Sequence, residues 1–292
     1  MIRPLVAVFA LTIAACSHST RGANETSPSV ASRDARLSFA RNGTSVATLS
    51  LDELTTIVPP EEISVFDPYY GRTKRFRVVP IEPVLARAFG SDPAHPLARE
   101  QFVLRARDGY TVPMAGDRLL EGGACIAIAD LDFAAWEPIG QQHANPAPFY
   151  IVWRNANQTD LETHPRPYQL ASIDIASFES VFPHTVPAGE SDTSTARRGF
   201  AIFRGECIRC HAINREGGRV GPDLNVPLSI VEYRPVEQIR AYVRNPLAFR
   251  YGTMPPHPNL TEEDLDALVA YFRVMSVRKF DPDARTTDGG TR

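Results

Sequence analysis

The sequence is short of most features that would place it at a glance. It has four cysteines in 292 residues, too few and too scattered for a disulfide framework to hold it together. Its formal charge is −3, with 31 Lys and Arg against 34 Asp and Glu, so no basic excess points to nucleic acid. The apolar run Leu5 to Ala15 has eleven residues, where a membrane-spanning helix needs about 20. No internal repeat is visible, which argues against a solenoid or a propeller. The 43% hydrophobic content is enough for two cores.

What stands out is Cys207-Ile208-Arg209-Cys210-His211. This C-x-x-C-H pattern is the attachment signature of c-type haem: two thiols one turn apart can each bond the same porphyrin, and the next histidine can offer a ring nitrogen to the iron. A thioredoxin-like dithiol shares the C-x-x-C but needs no adjacent histidine. A zinc site needs two further close ligands, and none is near. Gly252-Thr253-Met254-Pro255-Pro256 places a methionine held by two prolines 43 positions after His211. A Met/His ligand pair suits one-electron transfer. His257 is a rival distal ligand, and Met275 reads as core.

Residues 195–280 resemble the class I cytochrome c family. The likeness rests on Gly199, Phe203 and Cys207 at four-residue steps, on Gly221-Pro222-Asp223-Leu224, and on a last helix opened by Thr261-Glu262-Glu263-Asp264. That last pattern is a capping box, and Leu265, Leu268, Val269 and Phe272 continue it as an apolar face. The resemblance implies an all-α domain holding one covalent haem on Cys207 and Cys210, with His211 and Met254 as iron ligands. It implies that the Pro222 carbonyl orients His211, that Gly199 admits the last helix, and that Tyr271 and Phe272 pack on the first.

The opposite end supplies an address. Met1-Ile2-Arg3, the apolar run and Ile13-Ala14-Ala15-Cys16 read as an export signal over residues 1–15. The end of the run resembles the lipobox of bacterial lipoproteins, which implies that Cys16 carries lipid. Residues 16–32 then form a polar tether, and the chain is expected in the periplasm, anchored to a membrane, the outer one favoured by Ser17. Residues 183–194 read as a linker, and 281–292 as a disordered tail. Cys125 is left over in an apolar stretch and reads as a buried thiol.

Residues 33–182 read as a mixed, mostly-β domain, making the whole a two-domain α+β chain. Strands are expected at Val46 to Leu51, Arg75 to Val79, Phe102 to Ala106, Ala124 to Ala129, Phe149 to Val152 and Leu170 to Ile175, with helical patches at Leu51 to Leu54 and Glu82 to Phe89. The segments Ser50 to Leu54, Tyr70 to Pro80, Asp108-Gly109-Tyr110, Pro148 to Trp153 and Tyr168 to Ile173 look like the sulfite-oxidase-type molybdopterin-binding fold, and more narrowly like short bacterial versions lacking the cofactor. The enzymes of that fold bind molybdenum through a cysteine near its start, where this chain has none, so no molybdenum cofactor is expected. Arg72, Lys74, Arg75 and Arg77 form a basic strand that could be a solvated face or could dock a partner. His95, His143, His164 and His184 read as exposed or structural.

These readings converge on a membrane-tethered, mono-haem electron carrier in a periplasmic redox chain, exchanging electrons with a redox protein donor and acceptor. The alternative is an enzyme: a sulfite-dehydrogenase-like molybdoprotein fused to its own cytochrome acceptor.

Overall fold

The computed structural model describes residues 34–90, 92–140 and 143–282. The export signal, Cys16, the tether and residues 283–292 lie outside the described residues. The N-terminal region is β-rich: β1 (Arg36–Arg41), β2 (Thr44–Ser50), α1 (Leu51–Ile57), β3 (Glu61–Asp67), β4 (Arg72–Pro80), α2 (Ile81–Phe89), β5 (Gln101–Ala106), β6 (Thr111–Ala115), α3 (Gly116–Leu119), β7 (Ala124–Asp130), β8 (Tyr150–Trp153) and β9 (Leu170–Ile175). They form a five-stranded sheet, β2-β1-β9-β5-β6, and a four-stranded sheet, β3-β4-β7-β8. The β1–β9 pair is parallel.

Alternation of side chains sorts these strands into layers. Ile126 and Ile128 of β7 and Ile151 and Trp153 of β8 share a core with Leu37, Phe39, Phe102 and Leu104 of the five-stranded sheet. Their neighbours Cys125, Ala127, Tyr150 and Val152 face the other way, into a second cluster with Phe76 and Trp136. The strand β7 is therefore covered on both faces, which is why it reads as one continuous apolar run.

All six expected strands are present. Strand β2 stops at Ser50 because that residue caps α1: its hydroxyl accepts from the Glu53 amide at 3.2 Å, and its own amide donates to Glu53 Oε2 at 2.7 Å. Three strands, β1, β3 and β6, were not among the expected ones. The first was signalled by Asn42-Gly43, whose positive φ values of 50° and 75° make a tight hairpin to β2. The last contains Pro113, tolerated because β6 is a sheet edge.

The basic strand is not a free cationic face. Lys74 has no exposure and its ammonium lies 2.7 Å from both Asp130 and Glu137. Arg72 pairs with Glu137, Arg75 with Asp132 and Arg77 with Glu62. Facing carboxylates thus offset the charge of the strand, while Arg72, Arg75 and Arg77 stay exposed. Among the histidines, His164 is buried against Glu121 at 2.7 Å, and His184 stacks on Phe280 while holding Glu216.

The C-terminal region is helical: α4 (Phe178–Val181), α5 (Thr195–Ile202), a π turn Phe203–Cys207, the two-residue strands β10 (Ala212–Ile213) and β11 (Glu216–Gly217), α6 (Ile230–Tyr233), α7 (Val236–Arg244) and α8 (Glu262–Ser276). Thr261 caps α8 in a capping box with Asp264. A methyl group on Gly199 would sit 1.9 Å from the Ala267 carbonyl, so glycine is what lets α5 and α8 cross in contact. Around that crossing Tyr271 meets Phe200 and Phe203 at 5.7 and 5.4 Å between ring centres.

The segment expected to be a linker is packed. Thr185 is fully buried and its carbonyl accepts from the Tyr271 hydroxyl at 2.7 Å. Phe178 and Phe182, expected in the β domain, join the helical core with Phe200, Phe203 and Val103 of β5. Two buried aromatics and a hydroxyl needing a partner draw this stretch onto the helices.

Truncating Lys74 would strand the Asp130 carboxylate in a dry site. Lys74→Ala is predicted to lower the unfolding free energy by about 3–5 kcal/mol. Arg77→Ala, which removes an exposed pair, should stay within about 1 kcal/mol. Denaturant titration of the two variants checks the contrast.

Candidate functional site

The C-x-x-C-H segment begins where α5 widens into its π turn, closed by the Ile208 amide donating to Phe203 O at 2.9 Å. Such single π turns are common at functional sites. The Cys207 carbonyl then accepts from the amides of Cys210 (3.1 Å) and His211 (2.9 Å), a tight wrap that sets both sulfurs and the imidazole along one turn.

His211 is fixed from behind. Its Nδ1 lies 2.8 Å from the Pro222 carbonyl, and a carbonyl can only accept, so Nδ1 carries the proton and Nε2 keeps its lone pair. Burial lowers the pKa of the ring, against weaker upward pulls from Pro222 and Asp223, which favours the neutral imidazole a metal requires. Gly221 lies flat against it: a Cβ there would be 2.4 Å from Cε1 and 2.7 Å from Nδ1. No other residue fits behind this ring without moving it.

His211, Cys207, Cys210 and Pro222 line one cleft of about 350 Å³. Leu224, Leu268 and Phe272 form apolar parts of its wall, and Met254 and His257 line it as well. The two candidates for the distal position are thus both at the cleft. His257 donates its amide to Val243 O at 3.1 Å and turns Nδ1 toward Glu206, 3.7 Å away. Burial lowers its pKa too.

The site fits a covalently held, flat apolar ring better than a dithiol centre. Burial pushes the Cys207 thiol up to about 12 and the Cys210 thiol up to about 11, whereas reactive C-x-x-C pairs have lowered values. Among the described residues no group of three or more His, Cys, Asp or Glu is arranged to hold a metal ion. Nor is any described helix long and apolar enough to cross a membrane. Cys125 is buried in β7, with the Arg154 guanidinium 3.0 Å from its sulfur, and does not line the cleft.

Several cleft residues carried no signal in the sequence. Arg234 and Arg250 line the cleft together with Tyr233 and Tyr242, and nothing in their spacing from the motif marks them. Arg209, at a variable position of the motif, bonds the β-rich region through the carbonyls of Leu161 (3.0 Å) and Glu162 (2.7 Å). Tyr110 stood out only as part of the fold resemblance, through Asp108-Gly109-Tyr110.

Comparison with known proteins agrees with this geometry. Residues 194–272 match the family described as cytochrome c oxidase, cbb3-type, subunit III. The chain is also similar to cytochrome c oxidase subunit 2 of Alkalihalophilus pseudofirmus, with 34% identity over 97 residues, covering 30% of this chain and 28% of that protein. The chain thus spans under a third of that relative's length. The β-rich N-terminal region lies outside the family match, and its likeness to the sulfite-oxidase fold stays with its own residues. The helical C-terminal region carries a cytochrome c domain similar to cbb3-type subunit III, and such a domain implies haem and electron transfer.

Proposed function

We propose that this chain is an electron carrier with one haem c bonded to Cys207 and Cys210 and ligated by His211 and Met254. The observation that carries the reading is the cleft itself: two sulfurs and a neutral-favouring imidazole, its Nδ1 tied to Pro222 at 2.8 Å, face one apolar space. Bound there, the group supplies reversible one-electron exchange. The chain's own residues do the rest. Pro222 and Gly221 hold the His211 ring in orientation, and Leu224, Leu268 and Phe272 keep water from the pocket. Arg234 and Arg250, which line the cleft, would offer cations to the haem's carboxylates. Met254 is preferred to His257 because its neighbours Pro255 and Pro256 stiffen the loop, while His257 is turned toward Glu206. Both named similarities are to oxidase subunits, which supports redox proteins as donor and acceptor.

The proposal assigns no molybdenum to the β-rich region. Cys125 faces Arg154, and burial raises its thiol pKa, a poor setting for a thiolate ligand. Stoichiometric molybdenum in purified holoprotein would contradict that assignment. The proposal also places the protein in the periplasm, held to a membrane by lipid on Cys16, on the strength of the lipobox-like signal end.

Met254→Ala should abolish the weak near-infrared sulfur-to-iron band of the oxidised protein and lower its reduction potential, since thioether ligation raises it. An unchanged spectrum would move the assignment to another ligand. Cys16→Ser should shift the protein from the membrane fraction to the soluble periplasm, and equal partition of mutant and parent would refute the anchor.

A further inference from the structure

The two regions of the chain meet at the haem motif itself. The Thr111 amide, at the start of β6, donates to the Arg209 carbonyl at 3.0 Å. The Arg219 amide donates to Gly109 O at 3.1 Å, so the turn before β6 is bonded on both sides of the attachment loop. Gly109 has φ +91°, and a Cβ there would stand 2.7 Å from Arg219 Cβ, so the approach requires glycine. The Arg209 guanidinium reaches out to Leu161 O and Glu162 O. Those carbonyls are presented by a preformed turn in which Asp160 Oδ1 accepts the Glu162 and Thr163 amides at 3.0 and 2.8 Å.

Behind this belt lie three tyrosines of the β-rich region. Tyr69 and Tyr168 are edge-to-face with ring centres 6.3 Å apart. Tyr110 sits between Gly109 and Thr111, the two residues whose backbone bonds tie this turn to Arg219 and Arg209. The three rings are half-buried, and burial raises the pKa of each hydroxyl, that of Tyr110 to about 12. The Tyr69 amide donates to Asp67 at 3.0 Å, and Asp67 accepts from the Tyr150 hydroxyl at 2.8 Å beside the buried Arg166. The tyrosines are therefore backed by a rigid polar core.

We propose that the β-rich region is a built-in cover over the Cys210 edge of the haem, held shut by Arg209 and Tyr110 as positioning residues, and that it raises the reduction potential. The inference rests on the haem reading above. The physical reason is the charge difference between the two redox states. The oxidised centre carries one more positive charge than the reduced one, and a low-dielectric neighbour penalises the more charged form. Replacing water beside the attachment loop with the packed Gly109–Thr111 turn therefore favours the reduced state.

Potentiometric titration of full-length holoprotein tests the cover with charge-neutral changes. Tyr110→Ala opens it, and Gly109→Ala wedges it away from Arg219. In each variant the reduced-to-oxidised ratio at a fixed ambient potential should fall about threefold to tenfold, tenfold being ~59 mV for a one-electron couple. Covalent haem in the variant with an unchanged potential would overturn the cover. Absence of covalent haem from the parent chain would instead overturn the haem reading. If neither variant folds, hydrogen exchange on the parent decides: slow exchange of the Thr111 and Arg219 amides supports the cover, and fast exchange of both overturns it.

Discussion

The contact between the first and last helices of the C-terminal region is the constraint on which the site depends. Gly199 lets α5 lie against the Ala267 carbonyl, and every other feature of the cleft is measured from that crossing. It fixes where α5 ends and the π turn begins, and so where Cys207 emerges. It also fixes Leu268 and Phe272 of α8 as cleft wall. The aromatic cluster of Phe200, Phe203, Tyr271 and Phe272 then fills the angle between the helices, where each ring buries a large apolar area. A side chain at position 199 would separate the helices and pull the attachment turn away from its wall.

A second constraint comes from the region outside the cytochrome likeness. Val103 points out of the β5 face into the helical core while its neighbours Phe102 and Leu104 point into the β core. One strand thus serves two cores through its period-two alternation. Together with the backbone bonds at Thr111 and Arg219, this packs the β-rich region against the attachment loop. The one fully buried lysine of this region, Lys74, is held between Asp130 and Glu137.

Much of this was legible in the sequence, for reasons that differ by residue. Thr261 and Asp264 announce α8 because a capping box is a local event. The run Ala124 to Ala129 reads as a strand because burial on both faces leaves no polar alternation. Strand β3 stayed hidden because its outward positions, Glu62 and Ser64, dilute the apolar signal of Val65. Lys74 was misjudged because neighbouring cations in a sequence do not reveal the carboxylates that fold against them. The linker boundary was misplaced because Pro-His-Thr-Val-Pro is linker-like in composition, yet Thr185 is buried by a partner 86 positions away. Within the site, Cys207, Cys210, His211, Pro222 and Met254 belong to short motifs with their own chemistry. Arg209, Tyr69, Tyr110 and Tyr168 act through tertiary contacts that no local pattern encodes.

The central claim is that Cys207 and Cys210 hold haem by covalent bonds. Its most direct test is extraction of the purified, denatured protein with acidified organic solvent. The account predicts that the haem chromophore stays with the polypeptide in the parent chain and is lost from it when both cysteines are replaced by serine. Haem that washes freely into the organic phase from the parent chain would contradict it.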